Sequence, residues 1–237
     1  KAPGTYNHSI AVGTLSEGAA KAIGLNPLFA RVACLYHDIG KSLQPEYFIE
    51  NQQGGNPHDP LSPEESVRIV TGHVTEGIRL AERAGLPPAI VDIIPQHHGT
   101  KLLVPFYAKA RTLAGGEEAK VQEDRFRYPG PKPQSKEAAI IMLADGVEAS
   151  ARTLEDRSQE RLLELIRKIV SAAAEDGQFS DCEITLAELE RVTFSFLETL
   201  SGYHHSRITY PGFDFAGKAT HDAKAVKSQT RLSAVHA

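Results

Sequence analysis

Apolar residues recur along most of this chain at the three- and four-residue intervals that place side chains on one face of an α-helix. The pattern is clear over residues 6–24, and Gly24 stands where a helix would end. The sequence therefore predicts a first helix over 6–24, whose apolar positions are Ile10, Val12, Leu15, Ala19 and Ile23.

Further helices are predicted where a helix-start signal precedes an apolar stripe. Asn26-Pro27 combines an N-cap residue with a first-turn proline, and the helix that it opens should end near Gly40, the predicted C-cap position. The other predicted starts are Ser62 with Glu65 (a capping box, for a helix ending by Gly85), Pro87-Pro88 (a short helix that Pro95 kinks or ends), Ser135, Ser158, and Thr185 with Glu188 (a second capping box).

No convincing strand series and no internal repeat interrupts this pattern, so the fold is predicted to be all-α, a helical bundle. Irregular stretches over 42–61 and 116–134 are long for connections inside a compact domain, and such connections are more often functional than idle. After Pro211 the pattern decays into polar and small residues. We therefore expect one domain over 1–212 and a loosely ordered tail over 213–237.

Charge and cysteine content narrow the class of protein. Lys and Arg number 26 against 30 Asp and Glu, a formal net charge of −4, so no DNA or RNA duplex is expected as a partner. Two cysteines, Cys34 and Cys182, stand far apart, which predicts neither a disulfide framework nor a zinc–thiolate site and fits a reducing cytosol. No apolar run has the length of a membrane span. Because the chain opens with Lys1 and its single methionine is Met142, we expect a soluble piece of a longer protein.

The strongest chemical signal is the adjacent His37-Asp38 pair, at the predicted end of the second helix. The two side chains can ligate one metal, or the aspartate can bridge two, although such a pair alone is more simply an exposed polar pair. Asp145 favours the metal, because it lies in an apolar helical stripe where a carboxylate is costly to bury unless paired or ligated. Imidazoles and carboxylates without a thiolate suit Fe or Mn better than structural zinc. The candidate ligands are His8, His37, Asp38, His73, His97, His98 and Asp145.

The order His … His-Asp … His … His-His … Asp resembles the HD superfamily of metal-dependent phosphohydrolases in its dinuclear form. More closely, the chain resembles the cytoplasmic HD domain of the PgpH-type, seven-transmembrane cyclic-di-AMP phosphodiesterases. The resembling segments cover most of 3–211 and include Pro3–Ser9, Tyr36–Lys41, Pro45–Gln52, Asn56–Asp59, Gln96–Thr100, Phe126–Pro133, Leu143–Asp145 and Tyr203–Arg207.

The resemblance implies a helical bundle with two divalent metal ions between its helices. His8, His37, Asp38 and Asp145 would hold one ion, and Asp38 would bridge to a second ion held by His73, His97 and His98. A hydroxide bridging the ions would attack a phosphodiester of cyclic-di-AMP and open it to 5′-pApA. Lys41, one turn from the ligands, is the candidate to bind the substrate and neutralise a phosphate oxygen, although a lysine is also favoured at a helix C-terminus without any function. The domain would lie on the cytosolic face of a membrane-anchored protein.

Three other functions stay open at this point. One is an HD nucleotidase that uses a single metal on a mononucleotide, and another is a catalytically silent nucleotide-sensing module. The third is a cyclic-di-GMP phosphodiesterase, but those enzymes carry Gly-Tyr-Pro shortly after the His-His pair, where this chain has Gly99-Thr100-Lys101. Residues interpreted as structural or solvated rather than functional are His58, Asp59, Arg125, Arg127, Lys132, His204 and His205.

Overall fold

The computed structural model describes residues 1–116 and 121–202, and this part of the chain is helical. Its pairing of extended backbone is limited to one antiparallel bridge between Leu102 and Arg127. The prediction of an all-α fold is confirmed. The α-helices are α1 (Pro3–Ala22), α2 (Pro27–Cys34), α3 (Pro63–Arg83), α4 (Pro88–Val91), α5 (Ile93–Gln96), α6 (Val104–Leu113), α7 (Lys136–Ala151), α8 (Gln159–Glu175) and α9 (Leu186–Gly202).

Five of the predicted helix starts are confirmed by capping hydrogen bonds. The Asn26 side chain accepts from the Phe29 N–H, and Ser62 and Glu65 form both halves of a capping box. These contacts satisfy backbone N–H groups that have no partner within the first turn of a helix. The same kind of cap is made by Ser135 at α7, by Ser158 at α8, and by Thr185 with Glu188 at α9.

The predicted end of the second helix near Gly40 is wrong, because α2 stops at Cys34. The Cys34 carbonyl accepts a hydrogen bond of 2.7 Å from His37 Nδ1, at the position where a continuing helix would have a hydrogen bond from the Asp38 N–H. The chain then forms a 3₁₀ turn over Ile39–Leu43, with Gly40 inside it. Gly40 is therefore not a C-cap residue.

Three smaller differences concern other helices. The first helix begins at Pro3 rather than at residue 6, and the helix predicted from Pro87 breaks into α4 and α5 at Asp92. This break lies one turn before Pro95, whose ring nitrogen cannot donate to that turn. The helix α6, which starts after Leu103, was not predicted at all.

Two of the three hydrophobic clusters in the described residues place the predicted ligands between them. The larger cluster joins α1, α2, α7, α8 and α9, and α7 lies at its centre because every side chain over 138–144 is buried. A helix that is apolar on all sides belongs in a core. The smaller cluster packs α3 and α5 against the loop before α7, through Val74, Ala81, Ile94 and Tyr128.

None of the helices within the described ranges combines the length and the hydropathy needed to cross a bilayer. The predicted boundary at 212, the tail over 213–237, and His204 and His205 lie outside the described residues.

Candidate metal centre

Five elements that are distant in sequence bring the seven predicted ligands together. His8 lies on α1, His73 on α3 and Asp145 on α7, while the two adjacent pairs lie in the turns that follow α2 and α5. The structure arranges them in two groups of four, and within each group the candidate ligand atoms lie within 4.8 Å of one another. The first group is His8, His37, Asp38 and Asp145, and the second group is Asp38, His73, His97 and His98.

Asp38 belongs to both groups and offers a different oxygen to each. Its Oδ2 lies 3.3 Å from His37 Nε2 and 3.6 Å from His8 Nε2. Its Oδ1 lies 3.3 Å from His73 Nε2 and 3.5 Å from His97 Nε2. Asp38 is only 1% exposed, so its two oxygens face the two groups rather than solvent. This is the arrangement that a carboxylate shared by two cations requires.

Backbone carbonyls orient three of the histidine rings. His37 Nδ1 donates to Cys34 O at 2.7 Å, His73 Nδ1 to Val70 O at 2.5 Å, and His97 Nδ1 to Ile94 O at 2.6 Å. A carbonyl oxygen can only accept, so the ring proton lies on Nδ1 and the lone pair of a neutral ring lies on Nε2. In each case Nε2 is the atom that faces Asp38.

Two glycines allow the close backbone packing around the centre. A side chain at Gly40 would collide with the backbone carbonyl of His73, so glycine lets the turn that carries Asp38 lie directly on α3. Gly99 follows the His-His pair with φ of +54°, and a Cβ there would also meet Gln178 and Met142. A residue other than glycine at either position would displace a candidate ligand.

The polar atoms of the centre fit metal ions. Within the described residues, the Nε2 atoms of His37, His73, His97 and His98 and the Oδ1 atom of Asp38 are buried without a hydrogen bond, while Asp38 Oδ2 has Lys41 as an ion-pair partner. Buried polar atoms without partners are rare in native proteins because each loses its hydration without compensation. Ligation of a cation compensates them, and a set of imidazoles and carboxylates suits divalent ions of the first transition row. The chain thus has histidine and aspartate residues able to bind metal ions.

Charge interactions keep most of these side chains in the state that a metal requires. Burial acts to raise the pKa of Asp38, but its interactions with the Lys41 ammonium and the His37 ring outweigh burial and hold this pKa well below its ordinary value. Burial lowers the pKa of His97 to about 4, and burial with the adjacent His97 lowers the pKa of His98. Near neutral pH the aspartate is therefore ionised and these two rings are neutral, as ligands must be.

Lys41 lies at the centre, as its place one turn from the ligands suggested, but two carboxylates already pair with it. Its Nζ lies 2.7 Å from Asp38 Oδ2 and 3.2 Å from Glu50 Oε1, and 5.1 Å from the centre of the Phe48 ring. Burial acts to lower the pKa of Lys41, but Asp38 and Glu50 outweigh it and raise this pKa above its ordinary value. The ammonium is therefore charged at neutral pH.

Sequence reasoning missed three side chains that contact the centre. Glu50 pairs with Lys41, and Glu148 accepts from His8 Nδ1 at 2.5 Å. Tyr128 stacks on His98, with ring centres 4.1 Å apart and an angle of 24° between the ring planes. Glu148 follows Asp145 by three residues and therefore lies on the same side of α7, which was the one spacing signal available.

Two of the residues interpreted as structural, His58 and Arg127, make contacts with loops. His58 donates through Nε2 to Tyr47 O at 3.0 Å and packs on the rings of Tyr47 and Phe106. Arg127 pairs with Asp176 at 2.9 Å and with Glu123 at 2.7 Å. Both residues hold loops in place.

Comparisons with known proteins agree on one family. The HD domain family model matches residues 5–150. The cyclic-di-AMP phosphodiesterase PgpH of Bacillus subtilis is 50% identical over 210 residues, which are 88% of this chain and 29% of that protein. The protein of the same name from Listeria monocytogenes is 46% identical over 212 residues, or 89% of this chain and 29% of that protein. The chain thus spans less than a third of the length of either relative.

A solved structure has the same fold. It is the crystal structure of the HD domain of L. monocytogenes phosphodiesterase PgpH in complex with cyclic-di-AMP. The TM-score is 0.82 at 45% sequence identity, and the match covers 89% of this chain and 96% of that one.

Proposed function

The chain belongs to the HD domain family, and from this premise we propose that it is a metal-dependent phosphodiesterase that hydrolyses cyclic-di-AMP to 5′-pApA. The observation that carries the proposal is the shared Asp38, whose two oxygens face two four-residue ligand groups. The names of the relatives from B. subtilis and L. monocytogenes support the substrate. A single-metal nucleotidase has no use for the second group, and a silent module has no use for either.

The cofactors proposed are two divalent transition-metal ions, Fe or Mn. Such a pair, when bound, lowers the pKa of a shared water and neutralises charge on phosphoryl oxygens. His8, His37 and Asp145 would hold one ion, and His73, His97 and His98 the other. Asp38 would hold both and fix their separation, which depends on its turn lying directly on α3.

The proposed role of Lys41 is to bind and neutralise a phosphate oxygen of the substrate. Its ammonium lies beside Asp38, and its side chain keeps 12% of its surface exposed. A charged donor at this position can act on the negative charge that grows on the phosphoryl oxygens during attack, where one such donor contributes about 10²–10³-fold in rate. Glu50 would hold the ammonium in place between turnovers.

The proposed partner is a cyclic dinucleotide rather than a duplex, since the net charge of −4 offers no basic surface for a long polyanion. By its resemblance to the PgpH-type enzymes, the chain would be the cytoplasmic domain of a membrane-anchored protein.

The test is a direct assay of the purified chain with Mn²⁺ or, without oxygen, Fe²⁺. Cyclic-di-AMP, cyclic-di-GMP and mononucleotides are offered in parallel, the products are separated by chromatography, and metal per chain is measured by elemental analysis. We expect two metals per chain and conversion of cyclic-di-AMP to 5′-pApA. One metal with turnover of a mononucleotide would favour the nucleotidase, and binding of the dinucleotide without turnover would favour the sensor.

A matched pair of variants tests Lys41. Lys41→Met removes the charge and keeps most of the side-chain length, whereas Lys41→Arg keeps the charge. We expect Lys41→Met to lower kcat on the order of 10²-fold with two metals retained, and Lys41→Arg to recover part of that loss. A fully active Lys41→Met variant would remove Lys41 from the proposed mechanism.

A further inference from the structure

A buried carboxylate outside both ligand groups contacts His8 at the ring nitrogen that does not face the other ligands. Glu148 lies on α7, three residues after Asp145, and is only 6% exposed. Its Oε2 lies 2.5 Å from His8 Nδ1, and its Oε1 accepts a hydrogen bond of 2.5 Å from Arg152 Nε. A carboxylate is costly to bury unless it is paired, and here both oxygens have partners.

The geometry around His8 excludes Glu148 as a ligand of the same ion. His8 Nε2 faces the centre, at 3.0 Å from Asp145 Oδ1 and 3.6 Å from Asp38 Oδ2. Glu148 bonds the opposite nitrogen of the ring, on the side that points away from these carboxylates. It therefore acts on an ion only through the imidazole.

His8 differs in this respect from the three rings that backbone carbonyls orient. His37, His73 and His97 each donate to a neutral carbonyl three residues earlier, whereas His8 donates to an anionic side chain from another helix. A charged acceptor makes the stronger hydrogen bond, and it also raises the basicity of the imidazole as a ligand. The interaction lies out of solvent, where salt screens it little.

We propose that Glu148 is a positioning residue that fixes the orientation and proton position of His8 and so selectively tightens the ion in the first group. The inference rests on the proposed function, because it takes both groups to bind metal. Arg152 holds the Glu148 carboxylate by an i,i+4 contact along α7, but its own side chain is 43% exposed, so it contributes less.

The experiment measures metal retained per chain against a graded series of chelator concentrations. Glu148→Leu removes the acceptor, Glu148→Gln keeps an acceptor oxygen without the charge, and Glu137→Gln makes the same charge change near the start of α7. In Glu148→Leu we expect one of two ions to bind about 10–100-fold more weakly, with the other unchanged. Glu148→Gln should fall between Glu148→Leu and the wild type, and Glu137→Gln should match the wild type.

A double variant separates positioning from a general loss of stability. If Glu148 acts through His8, then His8→Ala with Glu148→Leu should retain no less metal than His8→Ala alone. In the metal-free wild type, the Nδ1 proton of His8 should give a hydrogen-bonded NMR signal that Glu148→Leu removes. If Glu148→Leu does not fold, the chelator series and the NMR measurement are made on Glu148→Gln instead. We then expect the binding of one ion to be partly weakened.

Equal weakening of both ions in the Glu148 variants, or weakening of neither, would overturn the inference. Failure of the proposed function gives a different result. A wild-type chain that binds two ions and leaves cyclic-di-AMP intact would contradict the proposed phosphodiesterase activity. The affinities of the two ions in the Glu148 variants would still test the role of Glu148.

Discussion

The two ligand groups are built from different parts of the molecule. The first group lies on the larger hydrophobic cluster, where His8 on α1 and Asp145 on α7 come from long, well-packed helices. The second group lies on the smaller cluster, where His73 on α3 meets the His97-His98 turn after the short helix α5. The first group has two carboxylates and two imidazoles, and the second has three imidazoles with the shared carboxylate.

Because of this difference, the pKa of a histidine shifts in opposite directions in the two groups. Burial acts to lower the pKa of His8, but the hydrogen bonds to Asp145 and Glu148 outweigh it and raise this pKa to about 10. Burial lowers the pKa of His97 to about 4. The second group has only the Asp38 carboxylate for its three rings, and this charge does not outweigh the effect of burial. The first group therefore attracts positive charge more strongly, and the carboxylate-rich group is the better match for a hard ion such as Mn²⁺.

The largest effect should come from the residue that both groups share. Asp38→Asn keeps the size of the side chain but removes the charge that the two ions would divide. We expect both ions to be lost and turnover of cyclic-di-AMP to fall by about 10³-fold or more, since the ions supply several kcal/mol of charge stabilisation. Elemental analysis and product chromatography on the same preparation measure the two effects.

A surface carboxylate outside the centre serves as the control for the removal of the Asp38 charge. Glu190→Gln on α9 removes a surface pair with Arg167 and should keep both ions and full activity. An Asp38→Asn chain that still held two ions would contradict the assignment of a shared ligand.

Single-ligand variants should then separate the groups. His8→Ala removes a ligand of the first group, and His73→Ala removes a ligand of the second. Each variant should keep one ion per chain, and both should lose most activity because, in the proposed function, two ions would act on the same phosphodiester. If the two ions differ in kind, elemental analysis will show a different ion retained in each variant. Loss of both ions from either variant would mean that the groups do not bind independently.

The helices could be predicted because their signals are local. Capping residues such as Asn26 and Ser62 satisfy N–H groups within one turn, and apolar periodicity reports the buried face of each helix. The end of α2 could not be predicted in this way, because it depends on the His37 ring taking the carbonyl of Cys34. The short helix α6 lacks a side-chain cap, and its one start signal, the first-turn proline Pro105, was not used in the prediction.

The candidate ligands could be named from their order along the chain, which resembles the dinuclear HD pattern, and from Asp145, a carboxylate within an apolar helical stripe. The side chains that support these ligands have no sequence pattern that distinguishes them. Glu148, Glu50 and Tyr128 are residue types found on any helix or loop. The packing of α1 on α7 brings in Glu148, the contact of the 49–51 turn with the start of α1 brings in Glu50, and the 122–134 loop brings in Tyr128. Sequence alone could suggest which residues ligate, but not which residues hold the ligands in place.

Tyr128 tests whether the second group depends on its smaller cluster. The ring is 8% exposed and stacks on His98, so Tyr128→Leu removes a flat surface that holds this imidazole. We expect the ion of the second group to bind about 10-fold more weakly and the free energy of unfolding to fall by about 1–3 kcal/mol. Tyr128→Phe keeps the ring and should retain the ion, and chelator titration compares the two. Equal retention in both variants would show that the stack does not support the site.

The smallest effect should be the pH dependence of stability after chelation of the metals. His8 titrates near 10 in the fold against an ordinary value of 6.5, so its contribution is fully present below pH 6.5 and is lost as pH rises toward 10. His97 titrates near 4 in the fold, so the fold favours the neutral ring and stability is lost as pH falls from 6.5 toward 4.

The two groups should thus give opposite slopes, each up to about 1.4 kcal/mol per pH unit for one proton. Urea unfolding of the chelated chain from pH 4 to 10 measures both. His8→Gln should flatten the fall above pH 6.5 and leave the acidic side unchanged, whereas His97→Gln should reduce only the acidic slope, part of which belongs to His98. If His8→Gln left the alkaline slope intact, the carboxylates of the first group would not be stabilising a protonated ring, and the electrostatic contrast between the groups would be wrong.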